Sequence, residues 1–160
     1  MQIRQYTSQD LPSMISIWNE VVEEGVAFPQ EEKLDLVSGR LFFETQSYCA
    51  VSIDECSNVV GLYILHPNNV GRCSQLANSS YAVSSSRRGQ GIGKALVLDS
   101  LKVAKDLGFL ILQFNAVVAT NEHARRLYER LGFRSLGIIP KGFRLKNGLY
   151  EDICLYYYEL

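Results

Sequence analysis

Apolar residues recur at helical spacing from Leu11 through Met14, Ile15, Ile17, Trp18 and Val21 to Val22, which predicts an amphipathic helix stopped by Gly25. Thr7 or Ser8 caps its start, Asp10 suits the first-turn dipole, and Pro12 is tolerated that early. A second helix is predicted from Glu31 to Glu44, with Leu34, Val37, Leu41 and Phe42 on its apolar side. Ile3–Tyr6, Tyr48–Ile53, Val59–Leu65 and about Ser74–Val83 alternate or run apolar and read as strands. Asp54–Asn58 is a turn between two of them, and His66–Arg72 a polar loop. Ile92 to Leu107 is a helix ending at Gly108, and Phe109 to Val118 a buried central strand. Asn121 or Thr120 caps a helix over Glu122–Leu131, and Phe133–Ile139 and Leu149–Glu159 close the chain as strands. The order β-α-α-β-β-β-α-β-α-β-β predicts one mixed α/β domain over residues 1–160.

Composition narrows this picture only a little. With 160 residues, 47% hydrophobic and 21% charged, the chain has the make-up of a globular domain with one substantial core. A net charge of -1 argues against nucleic acid or an anionic membrane as partner, so any affinity for anions must be local. No apolar run reaches the length of a membrane span, and Met1–Gln5 has no apolar leader, so a cytosolic protein is expected. The four cysteines are scattered without a C-x-x-C pair, which predicts reduced, packing thiols and no metal site.

The local anion site is easy to find. Between a strand ending at Val83 and a helix starting at Ile92 lies Arg87-Arg88-Gly89-Gln90-Gly91-Ile92-Gly93-Lys94. Glycines allow unusual backbone angles and close approach of a ligand, and a helix N-terminus offers unpaired N–H groups with a partial positive charge. That combination is a pyrophosphate cradle, although an ordinary strand-to-helix turn has the same outline. The loop lacks the G-x-G-x-x-G and G-K-[ST] spacings of nucleotide-binding folds. Asn78 and Asn115 interrupt apolar strands, where a buried amide needs partners, and such a violation hints at function. His66 and the Glu23–Glu24 pair are weaker candidates for a general base; the two glutamates follow a helix and are expected to be solvated.

Two motifs then resemble one family. Arg88-x-x-Gly91-x-Gly93 resembles the Q/R-x-x-G-x-G/A acetyl-CoA signature of the GNAT (Gcn5-related) N-acetyltransferases. Asn121 to Phe133 resembles their N-x-x-A-x-x-x-Y-x-x-x-G-F motif, and the element order follows their fold across the chain. The resemblance implies a mixed, mostly antiparallel sheet of six or seven strands, splayed at its centre and flanked by about four helices. It implies acetyl-CoA as acyl donor, with the Val83 backbone on the pantetheine arm and N–H groups from Arg88, Gly89, Gln90, Gly91, Ile92, Gly93 and Lys94 on the pyrophosphate. Asn121 would contact the pantetheine or phosphate region, and Tyr128 would protonate the departing thiolate. A phenol suits that task, because it is protonated at neutral pH and lies within about two units of a thiol's pKa.

His66 to Val83 is also similar to a stretch of fungal N-acetyltransferases acting on proline analogues such as azetidine-2-carboxylate, with Gln75 in place of His and Tyr81 in place of Phe. The likeness implies that Asn78 positions the substrate amine and that the main chain at Asn115 and Ala116 holds its carboxylate, with Tyr81 nearby. The expected activity is direct acetyl transfer to the amine of a small molecule, an amino acid or analogue. Protein or peptide acetylation and a non-catalytic acyl-CoA sensor are the alternatives, and the presence of Tyr128 argues for the enzyme. Homodimers are common in the family, and the aromatic C-terminal strand leaves that question open.

Overall fold

The computed structural model describes residues 1–160. Its strands are β1 (Gln2–Gln5), β2 (Tyr48–Ile53), β3 (Val59–Pro67), β4 (Leu76–Val83), β5 (Ile111–Val118), β6 (Arg134–Arg144) and β7 (Tyr150–Glu159). They form one sheet in the order β1-β2-β3-β4-β5-β7-β6, antiparallel throughout except for β4 and β5. Helices α1 (Leu11–Glu24) and α2 (Leu36–Glu44) contribute to a core with β2, β3 and Ala82 of β4. Helices α3 (Ile92–Asp106) and α4 (Glu122–Arg130) pack on the other face, against Ala77, Leu112, Phe114 and Tyr156. The predicted element order and fold class stand.

Two predicted features need correction. The second helix starts at Leu36 rather than Glu31, because the Asp35 carboxylate takes the N–H groups of Val37 and Ser38 and caps it there. Upstream, the Asn19 side chain holds both the N–H and the carbonyl of Leu34, each at 2.8 Å, and keeps that segment extended. Its buried side is also different: Val37 and Leu41 are exposed, and Gly39 and Phe43 face the core. A Cβ at Gly39 would lie 2.5 Å from Ile15 Cδ1, so the close contact of α2 with α1 selects the face. The last hairpin is longer than expected, since β6 runs on to Arg144 through an irregularity between Ile139 and Phe143.

The feature that matters for function is where the sheet comes apart. β4 and β5 pair only through Leu76–Ile111 and Ala77–Leu112, next to the start of each strand, and then diverge. Beyond that vertex β4 follows β3 and β5 follows β7. β5 also carries a bulge between Phe114 and Val117. Phe114 and Val117 pack with the α3/α4 core while Ala116 packs with Val118 and Phe143, so the extra residue turns both Asn115 and Ala116 to the α1/α2 side.

Candidate active site

On the α3/α4 side of the split, β4 ends at Val83, a 3-10 turn spans Ser85–Arg87, and the chain enters α3 through glycines. Gly89 (φ +77°) and Gly91 (φ +78°) adopt the left-handed region, which favours glycine. None of the backbone N–H groups from Arg88 through Lys94 donates a hydrogen bond within the protein; the first to do so is Ala95, to the Gly91 carbonyl at 3.1 Å. No side chain caps the helix. A Cβ built on Gly89 or Gly91 would meet open space, so the loop is an uncovered row of free donors at a helix N-terminus. These residues fit a diphosphate.

The loop is braced from the opposite layer. The Glu20 carboxylate accepts the Ser85 N–H at 2.8 Å, Glu24 pairs with Arg88 at 2.8 Å, and Asp54 pairs with Arg87 at 2.9 Å. Arg88 is therefore engaged by a carboxylate rather than free beside the cradle, and Glu24, expected as a solvated charge, is its partner. Sequence reading gave no sign of Glu20, because nothing local links α1 to a loop 65 residues away.

Tyr128 sits on α4 with its ring against Phe114 (4.5 Å between centroids) and Phe133 (5.6 Å). Its hydroxyl makes no hydrogen bond within the protein and is not among the sealed, unsatisfied polar atoms, so it reaches solvent. Burial pushes the phenol above its ordinary range, with the nearby Tyr81 adding to the effect. The gap to a thiol is thus wider than a free phenol suggests, and the hydroxyl stays protonated across the neutral range. Asn121 is the N-cap of α4: its carbonyl oxygen accepts the Ala124 N–H at 3.2 Å, leaving its amide N–H₂ without a partner.

Tyr81 does not join the asparagines. It lies on the α3/α4 face, its hydroxyl 2.7 Å from Ser100 Oγ and its ring edge-on to Phe114. Burial raises that phenol to about 12.

On the α1/α2 side, the structure brings Asn78 and Asn115 together through a residue that sequence reading passed over. Asn68, just past β3, accepts the side-chain N–H₂ groups of Asn78 at 3.3 Å and Asn115 at 2.5 Å on one oxygen. Its own N–H₂ donates to Asn115 Oδ1 at 3.3 Å, which also accepts from Gln113 at 3.0 Å. His66 is the register partner of Asn78 across β3 and β4 and shares its face, with Nδ1 donating to the Pro67 carbonyl at 3.0 Å. A cavity of about 520 Å³ opens between the α1–α2 connection and the β6–β7 turn, lined by Phe28, Glu31, Phe143, Arg144 and Lys146. An ion pair between Glu31 and Arg144 spans it.

The split therefore has a row of backbone donors and a phenol on one side and a side-chain amide cluster on the other. A sequence model described as the acetyltransferase (GNAT) family matches residues 13–133. The chain is 42% identical over 109 residues to the N-acetyltransferase aca1 of Schizosaccharomyces pombe, covering 68% of this chain and 52% of that protein. It thus spans about half the length of that relative. Its fold is similar to that of a GCN5-related N-acetyltransferase from Kribbella flavida (TM-score 0.92, 31% identity, 99% of this chain and 97% of that one). It is likewise similar to a phosphinothricin acetyltransferase from Sinorhizobium meliloti in complex with AcCoA (TM-score 0.92, 26% identity, 99% and 88%).

Proposed function

The chain belongs to the acetyltransferase (GNAT) family, and from that premise we propose that it moves an acetyl group from acetyl-CoA directly to the amine of a small molecule of the amino-acid class. The observation that carries the reading is the divergence of β4 and β5 beyond Ala77–Leu112, with free N–H donors on one face of the parted sheet and amide groups on the other. When bound, acetyl-CoA supplies an activated acyl group whose departing sulfur needs a proton.

The protein's part is positioning and charge. N–H groups from Arg88 to Lys94 hold the diphosphate, and the exposed edge of β4 near Val83 leaves backbone groups for the pantetheine arm. The unpaired amide of Asn121 is a further donor for that arm. Tyr128 keeps its proton at neutral pH and has no competing partner, as a general acid requires. Asn78 Oδ1 accepts no hydrogen bond within the protein and is open to solvent, so it can take an N–H of the incoming amine and orient its lone pair. The bulged main chain at Asn115 and Ala116 is the candidate holder of a carboxylate, which makes amino acids and analogues such as phosphinothricin or azetidine-2-carboxylate the acceptors of choice.

A thiol-release screen with acetyl-CoA against amino acids and their analogues, polyamines, aminoglycosides and peptides tests the reading. Turnover concentrated among compounds carrying both an amine and a carboxylate is expected. Turnover confined to peptides or polyamines would overturn the acceptor class, and binding of acetyl-CoA with no turnover at all would overturn the enzyme.

A further inference from the structure

We propose that Asn68 is the positioning residue of the acceptor side: it clamps the Asn78 and Asn115 amides across the β4/β5 split and fixes which atom of Asn78 faces the incoming amine. The inference rests on the reading of Asn78 given above. An asparagine side chain presents one oxygen that accepts twice and one N–H₂ that donates twice, and a half-turn about its last bond exchanges them. An amine nucleophile needs an acceptor for its N–H, so only one of the two orientations of Asn78 is useful. Asn68 Oδ1 takes the Asn78 N–H₂ at 3.3 Å, which leaves Asn78 Oδ1 as the outward, unpartnered atom.

Asn68 is itself well anchored. Its backbone N–H donates to the Leu76 carbonyl at 2.7 Å, closing the β3–β4 connection immediately before the vertex of the split. Its side chain forms a two-way amide pair with Asn115, accepting at 2.5 Å and donating at 3.3 Å. Gln113 completes the set by donating to Asn115 Oδ1 at 3.0 Å. Beyond Ala77–Leu112 no backbone ladder joins β4 to β5, so this side-chain bridge ties the amine contact on one strand to the bulge on the other. A residue in that position sets the spacing between an amine site and a carboxylate site without touching either group.

The clamp uses the oxygen of Asn68 toward Asn78, and that chemistry defines the test. Asn68→Asp keeps the accepting oxygens, whereas Asn68→Leu keeps the size and removes them; Asn68→Ala is the substitute if the leucine variant fails to fold. Initial rates are measured with acetyl-CoA and azetidine-2-carboxylate or phosphinothricin. Asn68→Leu is expected to lower kcat/KM for the amine on the order of 10²-fold, the usual consequence of a misplaced contact, with the acetyl-CoA KM unchanged. Asn68→Asp should recover part of the loss seen in Asn68→Leu, because the acceptor toward Asn78 survives while the donor to Asn115 Oδ1 does not. Combining Asn68→Leu with Asn78→Ala should cost less than the two single losses multiplied together, since part of the effect of Asn68 runs through Asn78 and part through Asn115.

A readout independent of turnover is the side-chain N–H₂ resonance pair of Asn78 in a nitrogen–proton correlation spectrum, assigned by its loss in Asn78→Asp. The pair should shift in Asn68→Leu and return in Asn68→Asp. A leucine variant with parental kcat/KM beside an impaired Asn78→Ala, or an Asn78 pair that does not move, overturns the clamp. Parental activity in Asn78→Ala overturns the acceptor reading itself, whatever the spectra report.

Discussion

The two sides of the β4/β5 split offer a ligand different materials. The α3/α4 side presents consecutive backbone N–H groups from Arg88 to Lys94, supplied by one loop and one helix end. The α1/α2 side uses side-chain amides from Asn68, Asn78 and Asn115, which lie up to 47 residues apart. A backbone site is insensitive to most side chains and sensitive to backbone angle, so its glycines carry the requirement. An amide cluster leans the other way: single atoms of its side chains decide what it can hold, and its one backbone irregularity is the bulge at Asn115 and Ala116. Damage to one side should therefore appear in the acetyl-CoA constants, and damage to the other in those of the amine.

The largest effect is expected at the proposed general acid. Tyr128→Phe should lower kcat by about 10²- to 10⁴-fold, the usual range for losing a general acid. Calorimetric affinity for acetyl-CoA should be retained, because the phenol makes no hydrogen bond that holds the loop. Full turnover in this variant would remove Tyr128 from the chemistry. Asn78→Ala comes next: loss of an oriented hydrogen bond predicts a drop of about 10- to 100-fold in kcat/KM for the amine, with acetyl-CoA affinity intact. If acetyl-CoA affinity collapsed instead, the division between the two sides would be wrong.

Gly91→Ala probes the opposite side. A Cβ there meets open space, so the cost is that of holding an L-residue at φ +78°, about 1–2 kcal/mol, which weakens acetyl-CoA affinity up to roughly tenfold as the free loop relaxes and must regain that angle on binding. The amine KM should not move. The smallest kinetic effect is expected far from the split, at Asp10. Its hydrogen bonds from Arg4, at 2.7 and 2.9 Å, and from Thr7 hold its carboxyl at about 2 despite burial. A carboxylate depressed in the folded state stabilises it fully above the unfolded value near 4, and that contribution is lost as pH falls toward 2. Asp10→Asn should thus cost about 1–2 kcal/mol in chemical denaturation at pH 7 and almost nothing near pH 2, with both Michaelis constants unchanged.

Much of the fold was legible because its periodicities are local. The helices at Leu11–Glu24 and Ile92–Asp106 follow from apolar spacing and a glycine stop or start, and the strand at Tyr48–Ile53 from an apolar run between polar turns. The helix at Leu36–Glu44 departs from its apolar pattern in both start and face. Val37 and Leu41 are as hydrophobic as a core requires, but the contact that fixes the helix is a glycine against Ile15, and a missing side chain leaves no hydrophobic signal.

The candidate site divides along the same line. The glycine loop and Tyr128 lie in contiguous motifs, and reading outward from the loop sufficed to pair them. Asn78 and Asn115 stand out as polar residues in apolar strands, but Asn68, though it lies in the stretch similar to the fungal enzymes, has no legible role until β3, β4 and β5 lie side by side. Arg88 belongs to the contiguous loop motif, while its ion pair with Glu24 depends on where α1 ends. The resemblance to the fungal stretch sets Tyr81 beside the asparagines, yet strand alternation sends it to the other face, against Ser100.

By itself, then, the sequence determined the element order, the anion cradle and the phenol beside it, because each is written in a short stretch of backbone-directed chemistry. Only the tertiary structure decided which amides share one oxygen, which carboxylates restrain the loop and which face each strand residue presents. Those depend on distances between segments tens of residues apart, set by packing rather than by any local pattern.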